Sequence, residues 1–248
     1  QETRPYVQDR AACDRLYSDY LDRISRAVAE NEDLRDVLAQ AFRDFDDLPR
    51  ATRRQKPVVG LLGEIYVRSN PFANENVVRN LEALDLEVWL PTIGEWIHYV
   101  NHMGKKEARE ANEFRKWLKM HLEIRYQNKI ENQLVAACDS RLRSLPEPGT
   151  HDLLHRAGRY IDPRFEGEAI LSVGKSLDYA QNRVQGLINL IPFTCMPGGV
   201  VDALLKQITA EHPLPSLTLI FDGQQETNTQ NRLEAFAHQV WQNFSATG

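Results

Sequence analysis

Apolar residues recur at helical steps from about Asp9 to Phe45: Leu16, Tyr20, Ile24 and Val28 make one stripe, and Leu34, Val37, Leu38, Ala41 and Phe45 a second. Asn31-Glu32-Asp33 falls between the stripes and supplies a break and a cap, so the pattern predicts two helices rather than one. Leu48 to Lys56 then carries a proline and four basic residues, and reads as a linker.

Beyond the linker the period changes. KPVVGLLGEIYV is a continuous apolar run with β-branched Val58 and Val59, which predicts a strand buried on both faces. RSNPFANEN follows as a loop, and Val77, Val78, Leu81 and Leu84 mark the next helix. Three more strands are predicted: LEVWLPTI from about Leu86 to Leu90, GLINLIPF from near Gly186, and SLTLIFDG from near Ser216. Helical patterns over 168–182, 198–211 and 227–244 separate or follow them. Strands alternating with helices of this length predict an α/β fold, a Rossmann-like domain with a small, mainly parallel sheet of about four strands.

The exception is the stretch from Ile93 to His155. Trp96, Val100, Phe114, Leu118, Leu122 and Leu134 fall at helical spacings there, with no strand signal between them. The predicted organisation is therefore an N-terminal helical segment over 1–50 and a Rossmann-like domain over 51–248, with a long helical insertion at about 93–160.

Composition narrows the function classes. Of 248 residues, 42% are hydrophobic and 26% charged, as in an ordinary folded protein, so disorder is not the default. The formal net charge of -5 provides no global basic field for nucleic acid or anionic lipid, and neither is expected as a partner. Arg50, Arg53, Arg54 and Lys56 make a local basic patch, read as solvated surface. No apolar run approaches the roughly 18 residues of a membrane span and no signal peptide is recognisable, so a soluble, cytoplasmic protein is expected. Cys13, Cys138 and Cys195 are odd in number and far apart, which argues against a disulfide framework. The chain opens on Gln1 rather than Met and reads as a piece of a longer polypeptide.

Parallel α/β sheets bind ligands beyond the carboxyl ends of their strands, which directs attention to residues 63–76, 91–95, 192–199 and 222–228. In the third of these loops Cys195 stands between a strand and a helix. Thr194 is placed to cap that helix, Pro197 fits its first turn, and the free amides there favour a thiolate. A metal or cluster ligand, a nucleophile and a buried structural cysteine all remain open for Cys195. Cys13 and Cys138 lie in helical periodic stretches and are read as structural.

Glu64 closes a buried strand, where a carboxylate needs a partner or a task. Asn70 with Pro71, or Asn74, is a candidate cap that would leave amides free for an anion, with a plain structural turn as the alternative. Asp222 ends the fourth strand, Gly223 turns the chain, and Thr227 with Gln230 forms a capping box. The seven histidines show no HExxH pair, and His98/His102 and His151/His155 are read as surface or packing residues. No GxSxG is present.

Four blocks carry a resemblance: KPVVGLLGEIYVRSNPFANENVVRNLEALDLEVWLPTIGEW, FEGEAILSVGKSLDYA, LINLIPFTCMPGGVV and LTLIFDGQQETNTQNRLEAFAHQ. They closely resemble the C-terminal part of the acyl-CoA dehydratase activase-like proteins, also called CoA-substrate-specific enzyme activases. These are relatives of the 2-hydroxyacyl-CoA dehydratase and double-cubane cluster protein subunits. The resemblance runs from about Thr3 to Trp241, with the helical insertion its loosest part.

The resemblance implies an anaerobe's iron–sulfur protein. In that family an ATPase activase with an actin-like fold, fused or separate, passes low-potential electrons to a partner whose cysteines hold a 4Fe-4S or double-cubane cluster. Carried over residue by residue, Cys195 in PFTCMPG matches a cluster ligand, with Thr194 and Gly198 beside it. A cluster takes about four ligands, so the others are expected in an upstream cluster-binding domain, and this chain alone should be cluster-free and redox-inert. Glu64 and Asp222 are then candidates for positioning substrate, with an acyl-CoA among the implied partners. The rival expectation is a non-catalytic docking or regulatory module attached to the activase, with no cluster. A nucleotide- or CoA-binding module ranks third, since no Gly-rich phosphate motif supports it.

Overall fold

The computed structural model describes residues 1–248 except 53, 138–141, 146, 182–183, 224–227 and 248. Arg53, Cys138, Asn182 and the Thr227 half of the capping box therefore lie outside the described residues. The chain forms two compact units, Gln1–Arg54 with Gly94–Glu147, and Gln55–Ile93 with Pro148–Gly248.

The first unit is helical. Helices α1 (Arg10–Ala29) and α2 (Leu34–Asp46) match the two apolar stripes, and each starts on an aspartate. Asp9 accepts from the Ala12 amide and Asp33 from the Arg35 amide, which satisfies amides that a helix start leaves open. Between α1 and α2, the Tyr20 hydroxyl donates to Asp44 at 2.5 Å and the Tyr20 ring lies 6.2 Å from that of Phe45.

The second unit begins with β1 (Val58–Gly63), α3 (Ile65–Ser69), α4 (Val77–Ala83) and β2 (Glu87–Trp89). Two long helices of the first unit follow, α5 (Ile93–Glu110) and α6 (Phe114–Ala137), where a helical insertion was expected. The second unit then resumes with α7 (Thr150–Ala157), α8 (Glu168–Gln181), β3 (Gly186–Pro192), α9 (Met196–Glu211), β4 (Ser216–Phe221) and α10 (Thr229–Thr247).

The four strands are parallel throughout, in the order β2-β1-β3-β4, so the fold is α/β and Rossmann-like. Alternation along the strands divides their side chains between two layers. Val59, Leu61, Val88, Ile188, Leu190 and Leu219 face α4 and α10, packing with Leu81, Leu233, Phe236 and Val240 in one apolar core. Full burial of each such Leu or Ile contributes about 1.5–3 kcal/mol. Helices α8 and α9 cover the other face, and α7 packs on α8. Gly60 lets the Tyr179 ring of α8 lie against β1, since a Cβ there would come within 2.3 Å of it.

Two readings of the sequence are corrected. The run through Glu64-Ile65-Tyr66-Val67 does not continue as strand: β1 stops at Gly63 and α3 begins at Ile65. Lys56 is not solvated surface, because it is buried and its Nζ pairs with Asp85 at 2.8 Å.

Candidate functional site

From β1 the chain crosses to β2 on one side, and from there it returns past β1 to β3 on the other. Such a reversal marks the place, beyond the carboxyl ends of β1 and β3, where a crevice binds ligands in open parallel sheets. Two short connections border it, Gly63-Glu64 and Pro192 to Met196.

At the β1 end, Gly63 has φ +107, and a Cβ there would stand 2.0 Å from the Leu190 carbonyl oxygen. Only glycine allows the chain to turn this close to β3. Glu64 donates its own amide to that carbonyl at 3.0 Å, and its carboxylate accepts from the amides of Tyr66 at 3.0 Å and Val67 at 2.8 Å. Glu64 thus caps α3. A second carboxylate, missed in the sequence, joins it: Glu168, at the start of α8, accepts from the Ile65 amide at 3.2 Å. Burial pushes the Glu168 carboxyl above its ordinary value; the Ile65 amide opposes this, the Glu64 charge adds to it, and Arg68 opposes it. Nothing in local pattern ties Glu168 to a residue 103 positions away.

At the β3 end, Phe193 donates its amide to the Phe221 carbonyl at 2.8 Å, and Cys195 donates to the Pro192 carbonyl at 3.1 Å. Thr194 sits in the left-handed region at φ 65 and does not cap α9. That position belongs to Cys195, whose Sγ accepts from the Gly198 amide at 3.4 Å. The register is displaced by one residue because the Pro192–Cys195 turn places Thr194 at a corner. Cys195 is half-buried, and Phe193 and Met196 on either side are 65% and 66% exposed. Tyr66 and Phe72, in the segment after β1, are also exposed, Phe72 at 92%.

Below this turn, Gly198 packs directly on β3, and Asn189 donates its Nδ2 to the Gly198 carbonyl at 3.2 Å. Asn189 is fully buried, and its Oδ1 has no hydrogen-bond partner among the described residues. The first turn of α9 is therefore pinned to the sheet, which fixes where the Cys195 sulfur points.

The other candidates do not converge on the crevice. Asn70 accepts from the amides of Phe72 and Ala73, whereas buried Asn74 accepts from Val77 and donates to the Val67 and Arg68 carbonyls, so both shape the loop. Asp222 is exposed after β4 beside Gly223, whose φ is +83. His98 pairs with Glu131 in the helical unit, and Cys13 is buried in α1.

Among the described residues no group of three His, Cys, Asp or Glu is placed to hold a metal ion. Cys195 is a free thiol, and among the described residues no ligand set for an iron–sulfur cluster surrounds it. Among the described residues no helix is long and apolar enough to cross a membrane. No protein-family model, curated protein or solved structure matches the chain.

Proposed function

We propose that this chain is a cytoplasmic electron-transfer component of the 2-hydroxyacyl-CoA dehydratase or cluster-reductase type, in which Cys195 supplies one thiolate to a 4Fe-4S or double-cubane cluster. The remaining ligands come from another polypeptide segment, and an ATPase activase with an actin-like fold delivers the electrons. One observation supports this reading above the rest: Cys195 caps α9 at the β1/β3 crevice, with its sulfur on the Gly198 amide. A hydrogen bond from that amide to a ligating sulfur would stabilise its negative charge and tune a cluster potential. The chain's own part is to aim and shield the thiolate. Asn189 and Gly198 hold the turn, and Phe193 and Met196 offer apolar cover to whatever closes over it.

The test is iron and acid-labile sulfide, measured after anaerobic purification of the natural polypeptide that carries this sequence, beside its Cys195→Ala variant and beside this chain alone. The reading expects iron and sulfide in the first and a sharp loss in the other two. A full complement in the alanine variant refutes it.

A second reading is a docking or regulatory module for the activase without a cluster. The exposure of Tyr66, Phe72, Phe193 and Met196 at one end of the sheet favours it, since apolar side chains grouped on a surface mark contact sites. A natural polypeptide without iron, combined with lost activase binding on Phe193→Ser, would select this reading.

A further inference from the structure

Helix α6 runs for 24 residues without one buried side chain, so its hold on α5 depends on the few side chains that bridge the two helices. One is apolar, the Met120 side chain lying over Gly104, where a Cβ would come 2.6 Å from its Cε; the others are polar. Starting from the open end, His98 Nε2 meets Glu131 Oε2 at 2.6 Å, Asn101 Nδ2 donates to Gln127 Oε1 at 2.7 Å, and Lys105 Nζ meets His121 Nδ1 at 3.0 Å. The last contact is nearest the turn at 111–113. There the His121 ring stacks on Trp117 at 5.3 Å and 9°, and Lys105 Nζ stands 5.7 Å from the Trp117 ring centroid.

The two histidines make opposite demands on a proton. An ammonium group has no acceptor, so Lys105 can only donate, and His121 Nδ1 must be the unprotonated nitrogen of a neutral ring. Protonation of His121 removes that acceptor and places two positive charges about 3 Å apart. His98 faces a carboxylate instead, so its protonation turns a neutral hydrogen bond into an ion pair.

Among the described residues no carboxylate pairs with His121 or Lys105. One turn from Lys105 along α5 come His102 and Arg109, and one turn from His121 along α6 comes Arg125. Glu123, the nearest carboxylate along α6, lines the cleft beside Asn101 and pairs with Lys119 at 3.8 Å. Helix α2 also packs on α6, and its charges are engaged nearby: Arg35 with Asp33, Arg43 with Gln40, Asp44 with Tyr20, and Asp46 with Arg50, while Asp36 lies beside Arg35.

We infer that the α5–α6 hairpin is an acid-responsive element: protonation of His121 loosens the end nearest the turn, where the Met120–Gly104 contact remains, while protonation of His98 tightens the open end. The device is independent of any cluster at Cys195. The turn end carries exposed Phe114 and half-buried Trp117, so loosening it alters an apolar surface.

The experiment is amide hydrogen exchange by NMR on the whole chain, corrected for intrinsic rates, at about pH 8 and about pH 5, a range that spans imidazole titration. Trp117 indole shifts, assigned with Trp117→Phe, are followed in the same samples. Protection at residues 104–108 and 117–121 is expected to fall about fivefold, the effect of one lost hydrogen bond, while protection at residues 95–98 and 131–134 holds or rises. His121→Gln keeps an acceptor for Lys105 without a titrating ring and should abolish the response, and His98→Gln should leave the turn-end response intact. An invariant Trp117 signal, equal loss at both ends, or a response that survives His121→Gln would each overturn the inference.

Discussion

Gly198 and Gly199 are neighbours in the first turn of α9, yet alanine at the two positions should act in opposite directions. A Cβ at Gly198 would lie 2.4 Å from Ile191 Cγ2, 2.9 Å from Ile191 Cβ and 3.3 Å from Cys195 Sγ. Ile191 is a buried strand residue with a branched side chain, and the Asn189–Gly198 hydrogen bond holds the helix down, so neither partner retreats easily. Overpacking of this kind costs about 1–3 kcal/mol, and the tight contact places Gly198→Ala near the upper end. Helix propensity returns about 1 kcal/mol, leaving a net loss of about 2 kcal/mol. Around Gly199 nothing lies within 4 Å, so Gly199→Ala keeps only the propensity gain, about 1 kcal/mol. The two variants should therefore differ by about 3 kcal/mol. With a urea slope of about 3 kcal/mol/M, their midpoints should stand about 1 M apart, Gly198→Ala below the parent and Gly199→Ala above it. Midpoints that move together, or a stabilised Gly198→Ala, would refute the claim that α9 is pressed against β3 under Cys195.

Gly63→Ala combines a φ of +107 with a Cβ 2.0 Å from a strand carbonyl, and is expected to leave no soluble folded protein on expression. Glu168 has its carboxyl raised above the usual 4.5, so its contribution to stability is fully present below that value and is lost as pH rises through the folded value. Glu168→Gln keeps an acceptor for the Ile65 amide and should flatten that part of the urea-midpoint profile, with the variant gaining on the parent towards neutral pH. Phe193→Ser and Met196→Ser alter exposed side chains and should leave the unfolding free energy within about 0.5 kcal/mol of the parent, so any loss of partner binding they cause reports on the surface itself.

The legible parts of the fold were those where one physical signal acted alone. Val58–Leu62 is buried on both faces, and an uninterrupted apolar run with β-branched residues says so directly; Leu187–Ile191 is buried likewise, although Asn189 breaks its apolar run. Helix α2 could be placed because its apolar stripe begins beside an aspartate cap. Helix α3 was hidden, since Ile65-Tyr66-Val67 carries strand propensity, and what ends β1 is tertiary: Gly63 turning against the Leu190 carbonyl. The site divides in the same way. A cysteine between strand and helix marked the β3 end, but the one-residue shift of the cap from Thr194 to Cys195 depends on the turn back to Pro192. Glu168 reaches Ile65 from the far side of α5, α6 and α7, a distance no local pattern encodes.

Ligation by Cys195 is most directly measured by its protection from alkylation. Iodoacetamide would be applied without oxygen to the iron-loaded natural polypeptide, before and after chelation, with labelling read by mass spectrometry at Cys195 and at buried Cys13 as the reference. The account predicts that Cys195 is shielded while iron is present and labels once it is removed, with Cys13 unreactive in both states. Labelling of Cys195 at the same rate with and without iron would contradict it.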